Sequence, residues 1–112
     1  MKQDNVLSGK KIAIMATHGF EEIELTAPLD ELREYGATVH LISDAPTIRS
    51  FKNKTWGNEF KTDKLLDAVQ LEAYDMLILP GGVINADKLR RNDKAMEMLC
   101  AFNATGKTIA AI

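Results

Sequence analysis

The sequence predicts a single α/β domain with a doubly wound parallel sheet. Three observations carry that expectation. Short apolar runs recur along the chain, segments with helical spacing separate them, and glycine or Pro-Gly-Gly punctuation closes them. Strands that alternate with helices imply crossover connections, which run right-handed and leave the strands parallel. No internal repeat, low-complexity tract or domain linker interrupts the pattern.

The first run, Lys11 to Thr17 (KIAIMAT), is continuously apolar between flanking lysines, as suits a strand buried on both faces. In the following segment Leu29, Leu32 and Tyr35 recur at helical spacing, and Gly36 stops the helix. Pro28 fits either the first turn of a helix capped by Thr26 or a kink in a helix that begins near Glu21. Thr38 to Ser43 (TVHLIS) is a second strand. The polar stretch Thr47 to Asp63 carries Gly57 and three aromatic residues, so it is expected as a hairpin-like excursion or long loop outside the core. Lys64 to Tyr74 reads as a weak helix, and Asp75 to Leu79 as a third buried strand halted by Pro80-Gly81-Gly82. Asn92 and Asp93 cap a further helix with Ala95, Met98, Leu99 and Phe102 on one face. Gly106 closes it, and Lys107 to Ile112 starts a fourth strand.

Composition narrows the functional classes. Of 112 residues, 46% are hydrophobic and 27% charged, which is the balance of an ordinary globular domain and not of a disordered tail. The net charge of −2 offers no general attraction to nucleic acid or to an anionic membrane. No apolar run approaches a spanning helix, and the polar N-terminus MKQDNVLSGKK lacks the apolar core of a signal peptide, so a cytosolic protein is expected. The single cysteine, Cys100, cannot form an internal disulfide. With neither GxGxxG nor a glycine-rich loop opening a helix, no dinucleotide or P-loop site is supported. No metal or cofactor is expected.

In open α/β sheets ligands gather beyond the carboxyl ends of the strands. Three such ends stand out: Thr17 to Glu24, Pro80-Gly81-Gly82, and Ile112. The carboxylates Glu21, Glu22 and Glu24 admit two readings. They suit the dipole of a helix start. Alternatively, one of them points over the strand ends, where a partly desolvated carboxyl group can hold or pass a proton. Glu21 and Glu24 are three apart and share a face, which leaves Glu22 to solvent. Pro80-Gly81-Gly82 is either an ordinary turn or a place where bare backbone N–H groups face a reacting centre as an oxyanion hole. His18 is either a solvated turn residue or a pocket residue. His40, inside a strand pattern, is read as structural. Cys100, beside Leu99, is expected as a buried core thiol and not a nucleophile. Lysines interleaved with Phe51, Trp56 and Phe60 faintly suggest nucleic-acid binding, but a solvated hairpin fits the net-negative chain better.

The segments KKIAIMATHGFEEIELTAP, TIRSFKNKTWGNEFKTD, DMLILPGGVINADKLRRNDKA and GKTIAAI, in that order from about Lys10 to Ile112, resemble the PfpI family of intracellular proteases, within the class I glutamine amidotransferase-like superfamily. The most specific parts are GFEEIEL at Gly19 to Leu25 and LPGGVINADKLR at Leu79 to Arg90. The resemblance implies a flavodoxin-like sandwich, of which residues 1–112 form the N-terminal part of one domain. It also implies a nucleophilic cysteine followed by histidine, immediately after the strand ending AAI and therefore beyond Ile112. Glu24 matches the acidic residue that approaches the thiol, and it keeps its proton because two anions cannot comfortably share the site. Glu21 matches a second acidic position in that pocket, and Gly82, with Gly81 shaping the turn, matches the oxyanion segment. Asp87 matches an acidic residue offered to the catalytic histidine across a subunit interface. The function so implied is cysteine-dependent hydrolysis of a peptide or small-molecule substrate, with peptidase, amidase, glyoxalase or deglycase activity, in a homodimer or homohexamer. The rivals are a non-catalytic stress or redox-sensing protein and an inactive fragment.

Overall fold

β1 (Lys11–Met15) is the strand around which the sheet is assembled. The structure, a computed structural model, describes residues 6–112; the start of the polar lead, residues 1–5, lies outside them. β1 pairs in parallel with β2 (Thr38–Ser43) on one side and with β6 (Met76–Leu79) on the other. β6 pairs with β7 (Thr108–Ala111), and β2 pairs with the two-residue β5 (Lys64–Leu65). The order is β5-β2-β1-β6-β7, all parallel, so the expected doubly wound architecture is what the chain adopts.

Alternation along β1 separates two cores. Ala13 and Met15 face a layer built from α3 (Asp93–Ala104) and the segment before β6, with Leu71, Tyr74, Ala95, Met98 and Phe102. Ile12 and Ile14 face the opposite layer, where α1 (Glu22–Glu34) contributes Leu25 with Leu29 and Leu32 packed beside it. Side chains one residue apart on a strand point to opposite faces, so a strand covered on both sides reads as a continuous apolar run. Each large aliphatic side chain so buried stabilises the fold by about 1.5–3 kcal/mol.

Several elements depart from the expected ones. Of the two expected starts for α1 the chain takes the one near Glu21: the helix begins at Glu22 with Glu21 as N-cap, Pro28 lies inside it and Thr26 is no cap. Pro28 has no N–H, which leaves the Glu24 carbonyl without its usual i+4 donor. Residues Lys64 to Tyr74 form no continuous helix; β5 is followed by two one-turn 3-10 segments, Leu66–Ala68 and Leu71–Ala73. Leu66 and Leu71 both enter the same core at a spacing of five, and extended backbone at Val69 and Gln70 achieves that where a helix would not. A helix absent from the sequence reading, α2 (Val83–Arg90), follows the Pro-Gly-Gly turn. Cys100 is exposed and not a core thiol. Met98 faces inward, and two residues further on the helix has turned about 200°.

The hairpin is formed by β3 (Thr47–Lys52) and β4 (Thr55–Lys61), antiparallel, with Asn53 and Lys54 both at positive φ in a two-residue turn. It is not wholly outside the core: Ile48 is fully buried, and Phe60 packs edge-on against Phe20 at 5.5 Å. Among the described residues, no helix is long and apolar enough to cross a membrane.

Candidate functional site

The three strand ends converge. β1 runs out into Thr17 to Glu21, β6 into Pro80-Gly81-Gly82, and β7 into Ile112, whose N–H donates to the Leu79 carbonyl at 3.0 Å. Glu24, in the first turn of α1, extends its carboxyl group to this point, where Oε1 accepts the Gly81 N–H at 2.7 Å. The Glu21 N–H donates to the Gly81 carbonyl at 3.0 Å, so both backbone polar groups of Gly81 are held by the start of α1. Glycine is required at this point. A Cβ on Gly81 would lie 2.9 Å from the Ile112 carbonyl oxygen and closer still to Glu24 Oε1. Gly82 is needed for a different reason: its φ is +111°, and a Cβ there would sit 3.0 Å from the Glu21 nitrogen. The Gly81 N–H is therefore already committed to Glu24. The Gly82 N–H donates no hydrogen bond among the described residues.

The other expected residues lie apart from this cluster. Glu21 touches it through its backbone, and its side chain makes no capping hydrogen bond. His18 is half-buried and its Nδ1 accepts the Arg49 N–H at 3.3 Å. It borders a groove of about 760 Å³ between α2 and the loops after β1 and β2, lined in part by Thr17, Asp44, Asp87 and Lys88. Asp87 sits on the α2 side of that groove, 2.7 Å from Arg90 Nη2 and 3.4 Å from Arg91 Nε. Neither Glu21, Glu24 nor Gly81 lines this groove, so the structure places Asp87 and His18 together and Glu24 elsewhere. Glu22 is not left to solvent. Its carboxylate accepts the Ser50 hydroxyl at 2.9 Å and the Asn58 amide at 3.0 Å, and these hydrogen bonds, Asn58 first, hold its pKa below the usual glutamate range.

Two residues that the sequence did not single out hold the site. Asn85, in α2, is 1% exposed. Its Oδ1 accepts the Thr17 N–H at 2.7 Å while its Nδ2 donates to the Pro80 carbonyl at 2.9 Å, which clamps the Pro-Gly-Gly turn to the end of β1. The Thr17 hydroxyl in turn donates to Asp44 Oδ1 at 2.8 Å, tying the ends of β1 and β2 together. Only the position of Asn85 three residues after the double glycine could have drawn notice, and no general rule attaches a role to that spacing. No group of three or more His, Cys, Asp or Glu side chains among the described residues is arranged to hold a metal ion.

Comparison with known proteins bears on family and fold. Residues 10–112 match the model of the DJ-1/PfpI family. The chain is 35% identical over 103 residues to protein/nucleic acid deglycase 2 of Escherichia coli, covering 92% of this chain and 59% of that one. It is 32% identical over 102 residues to the deglycase PfpI of Pyrococcus furiosus, covering 91% and 59% respectively. Among solved structures, oxidized DJ-1 of Toxoplasma gondii superposes with a TM-score of 0.81 at 36% identity, over 92% of this chain and 55% of that one. The chain thus spans about three-fifths of the length of the curated relatives it matches. Sequence and fold agree that the chain belongs to the DJ-1/PfpI family.

Proposed function

We propose that the full-length protein is a cysteine-dependent hydrolase of the PfpI type, acting on carbonyl groups of small 2-oxoaldehyde-derived substrates or of peptides. The observation that carries this reading is the meeting of the Glu24 carboxyl group with the Gly81 N–H beside the end of β7. In the resemblance drawn from the sequence, the nucleophilic cysteine directly follows that strand. The Gly81 hydrogen bond fixes one oxygen of Glu24 and leaves the other to face the incoming thiol. The thiolate attacks the substrate carbonyl carbon, a C–S bond forms, and the carbonyl oxygen takes the negative charge, which the Gly82 N–H stabilises. Deglycase names among the relatives favour the 2-oxoaldehyde branch, and a Bacillus subtilis relative named putative cysteine protease favours the peptidase branch. Asp87, placed on a groove away from Glu24, suits a role across a subunit boundary in a homo-oligomer, either dimer or hexamer.

The test is methylglyoxal consumption by the full-length protein. Replacing the cysteine after the β7 strand by alanine abolishes turnover, and Glu24→Gln lowers kcat by about 10²-fold, the lower bound for a positioned acid or base. Unchanged consumption in the cysteine variant would sink the mechanism. A parallel assay on a chromogenic peptide separates the peptidase branch from the 2-oxoaldehyde branch.

A further inference from the structure

The parallel register gathers basic side chains from three neighbouring strands on one face. Ala13 stands opposite His40, and Ile42 opposite Lys64. Residues two apart on a strand share a face, so Lys11 on β1, His40 on β2 and Lys64 on β5 all belong to the face that carries Ala13, Met15 and Ile42. A cavity of about 420 Å³ opens there, bounded by these three side chains, by Tyr74, and by Val69 and Gln70 of the segment before β6. Among the described residues, the only ionic groups lining it are the two ammonium groups. Two carboxylates adjoin it and are already hydrogen-bonded: Asp63 Oδ2 accepts the Leu41 N–H at 2.7 Å and faces Arg33 at 3.8 Å, and Asp75 Oδ2 accepts the Lys11 N–H at 2.8 Å.

The floor of the cavity is a hydrogen-bonded pair, His40 Nδ1 to the Tyr74 hydroxyl at 2.6 Å, with the Lys11 ammonium 5.1 Å from the centre of the Tyr74 ring. Burial is the main cause that holds His40 below the ordinary histidine range; Asp63 opposes it, and Lys64 and Lys11 add to it. Burial likewise pushes Tyr74 up, with Asp63 acting in the same direction. Both groups are then neutral near pH 7. With the Tyr74 hydroxyl as donor in this pair, Nδ1 accepts and the hydrogen of the ring resides on Nε2.

The geometry points to an anion site for a small phosphomonoester, its phosphoryl group held between the Lys11 and Lys64 ammonium groups with His40 Nε2–H as a neutral donor. Lysine binds phosphate as a mobile point charge, and two of them match a dianion. The cavity is far larger than a phosphate ion and leaves room for an organic remainder. Lys11 opens β1, whereas Glu24 and Gly81 meet beyond the carboxyl ends of the strands, so the site is independent of the hydrolase reading.

The experiment is an amide NMR titration of the full-length protein at pH 7 with inorganic phosphate and, separately, glycerol 3-phosphate, at constant ionic strength set with sodium chloride. Saturable shifts at His40, Lys64 and Tyr74 are expected, tighter for the ester, and Lys11→Gln and Lys64→Gln each weaken binding by about fivefold. Equal affinity for the two probes would assign the site to inorganic phosphate. Non-saturating shifts that sodium chloride reproduces, or saturable shifts that neither variant alters, would overturn the proposal.

Discussion

Asn85 uses both ends of its side-chain amide to hold two backbone segments together, and that makes it the most sensitive single position near the site. Its carbonyl oxygen serves Thr17 at the end of β1, and its amide nitrogen serves Pro80 at the end of β6. Removal of the side chain in Asn85→Ala leaves a buried N–H and a buried carbonyl unpaired, at about 1–3 kcal/mol for each orphaned group. A chemical denaturation curve of the full-length protein is expected to show that loss as a lower midpoint. If the midpoint does not move, the clamp contributes nothing. Gly81→Ala acts on the same turn differently. The added methyl group occupies the space of Glu24 Oε1, so under the proposed hydrolase reading turnover falls about as far as in Glu24→Gln, and a variant that retains full kcat would show that the Glu24 to Gly81 hydrogen bond is dispensable. At this scale the sequence was legible where chemistry dictates residue type. An acid cluster after a buried strand and a double glycine after another both announce themselves. Asn85 does not, because an asparagine in a polar helical stretch looks the same whether its amide is buried or solvated.

Between elements, the link most open to measurement is the one from α1 to the hairpin. Glu22 projects from the first turn of α1 and accepts hydrogen bonds from Ser50 on β3 and Asn58 on β4, with Lys52 also favouring its charged form. A carboxyl group whose pKa is lowered in the folded state contributes stability above its unfolded value and loses it as pH falls through the folded one. The hairpin is therefore expected to loosen under acid conditions. Hydrogen exchange at β3 and β4 amides should be faster in Glu22→Gln than in the parent near neutral pH, and the two should converge below the glutamate range. A difference that persists at low pH would exclude this carboxylate as the cause. The hairpin was legible as a hairpin-like excursion or long loop, but its turn was not. Its turn places Lys54 at φ +62°, a conformation usually reserved for Gly, Asn or Asp, so the sequence lacks the usual signature of a two-residue turn. α2 escaped for a related reason: an eight-residue helix with only Asn85 and Leu89 buried has too little apolar periodicity to be seen.

In the molecule as a whole, the sheet is a partition. Ile14 belongs to the core under α1, Met98 to the core under α3, and β1, β2 and β6 supply side chains to both by alternation. This is why the fold class was legible from three short apolar runs: only strands covered on both faces need to be apolar at every position, and only a parallel sheet flanked by helices on both sides supplies such cover. The same partition has an energetic consequence. Ile14→Val removes one methylene from a fully buried site and costs about 0.5–1.5 kcal/mol. Met98→Ala in the other core costs about 2 kcal/mol, the lower end of the usual range, because Met98 retains 8% exposure. The two side chains share no cluster, so the double variant is expected to lose the sum of the two within about 0.5 kcal/mol. Equilibrium denaturation of the four proteins in that cycle checks it. A coupling above about 1 kcal/mol would mean that the backbone of the sheet shifts to relieve a cavity on either face, and that the two layers settle as one.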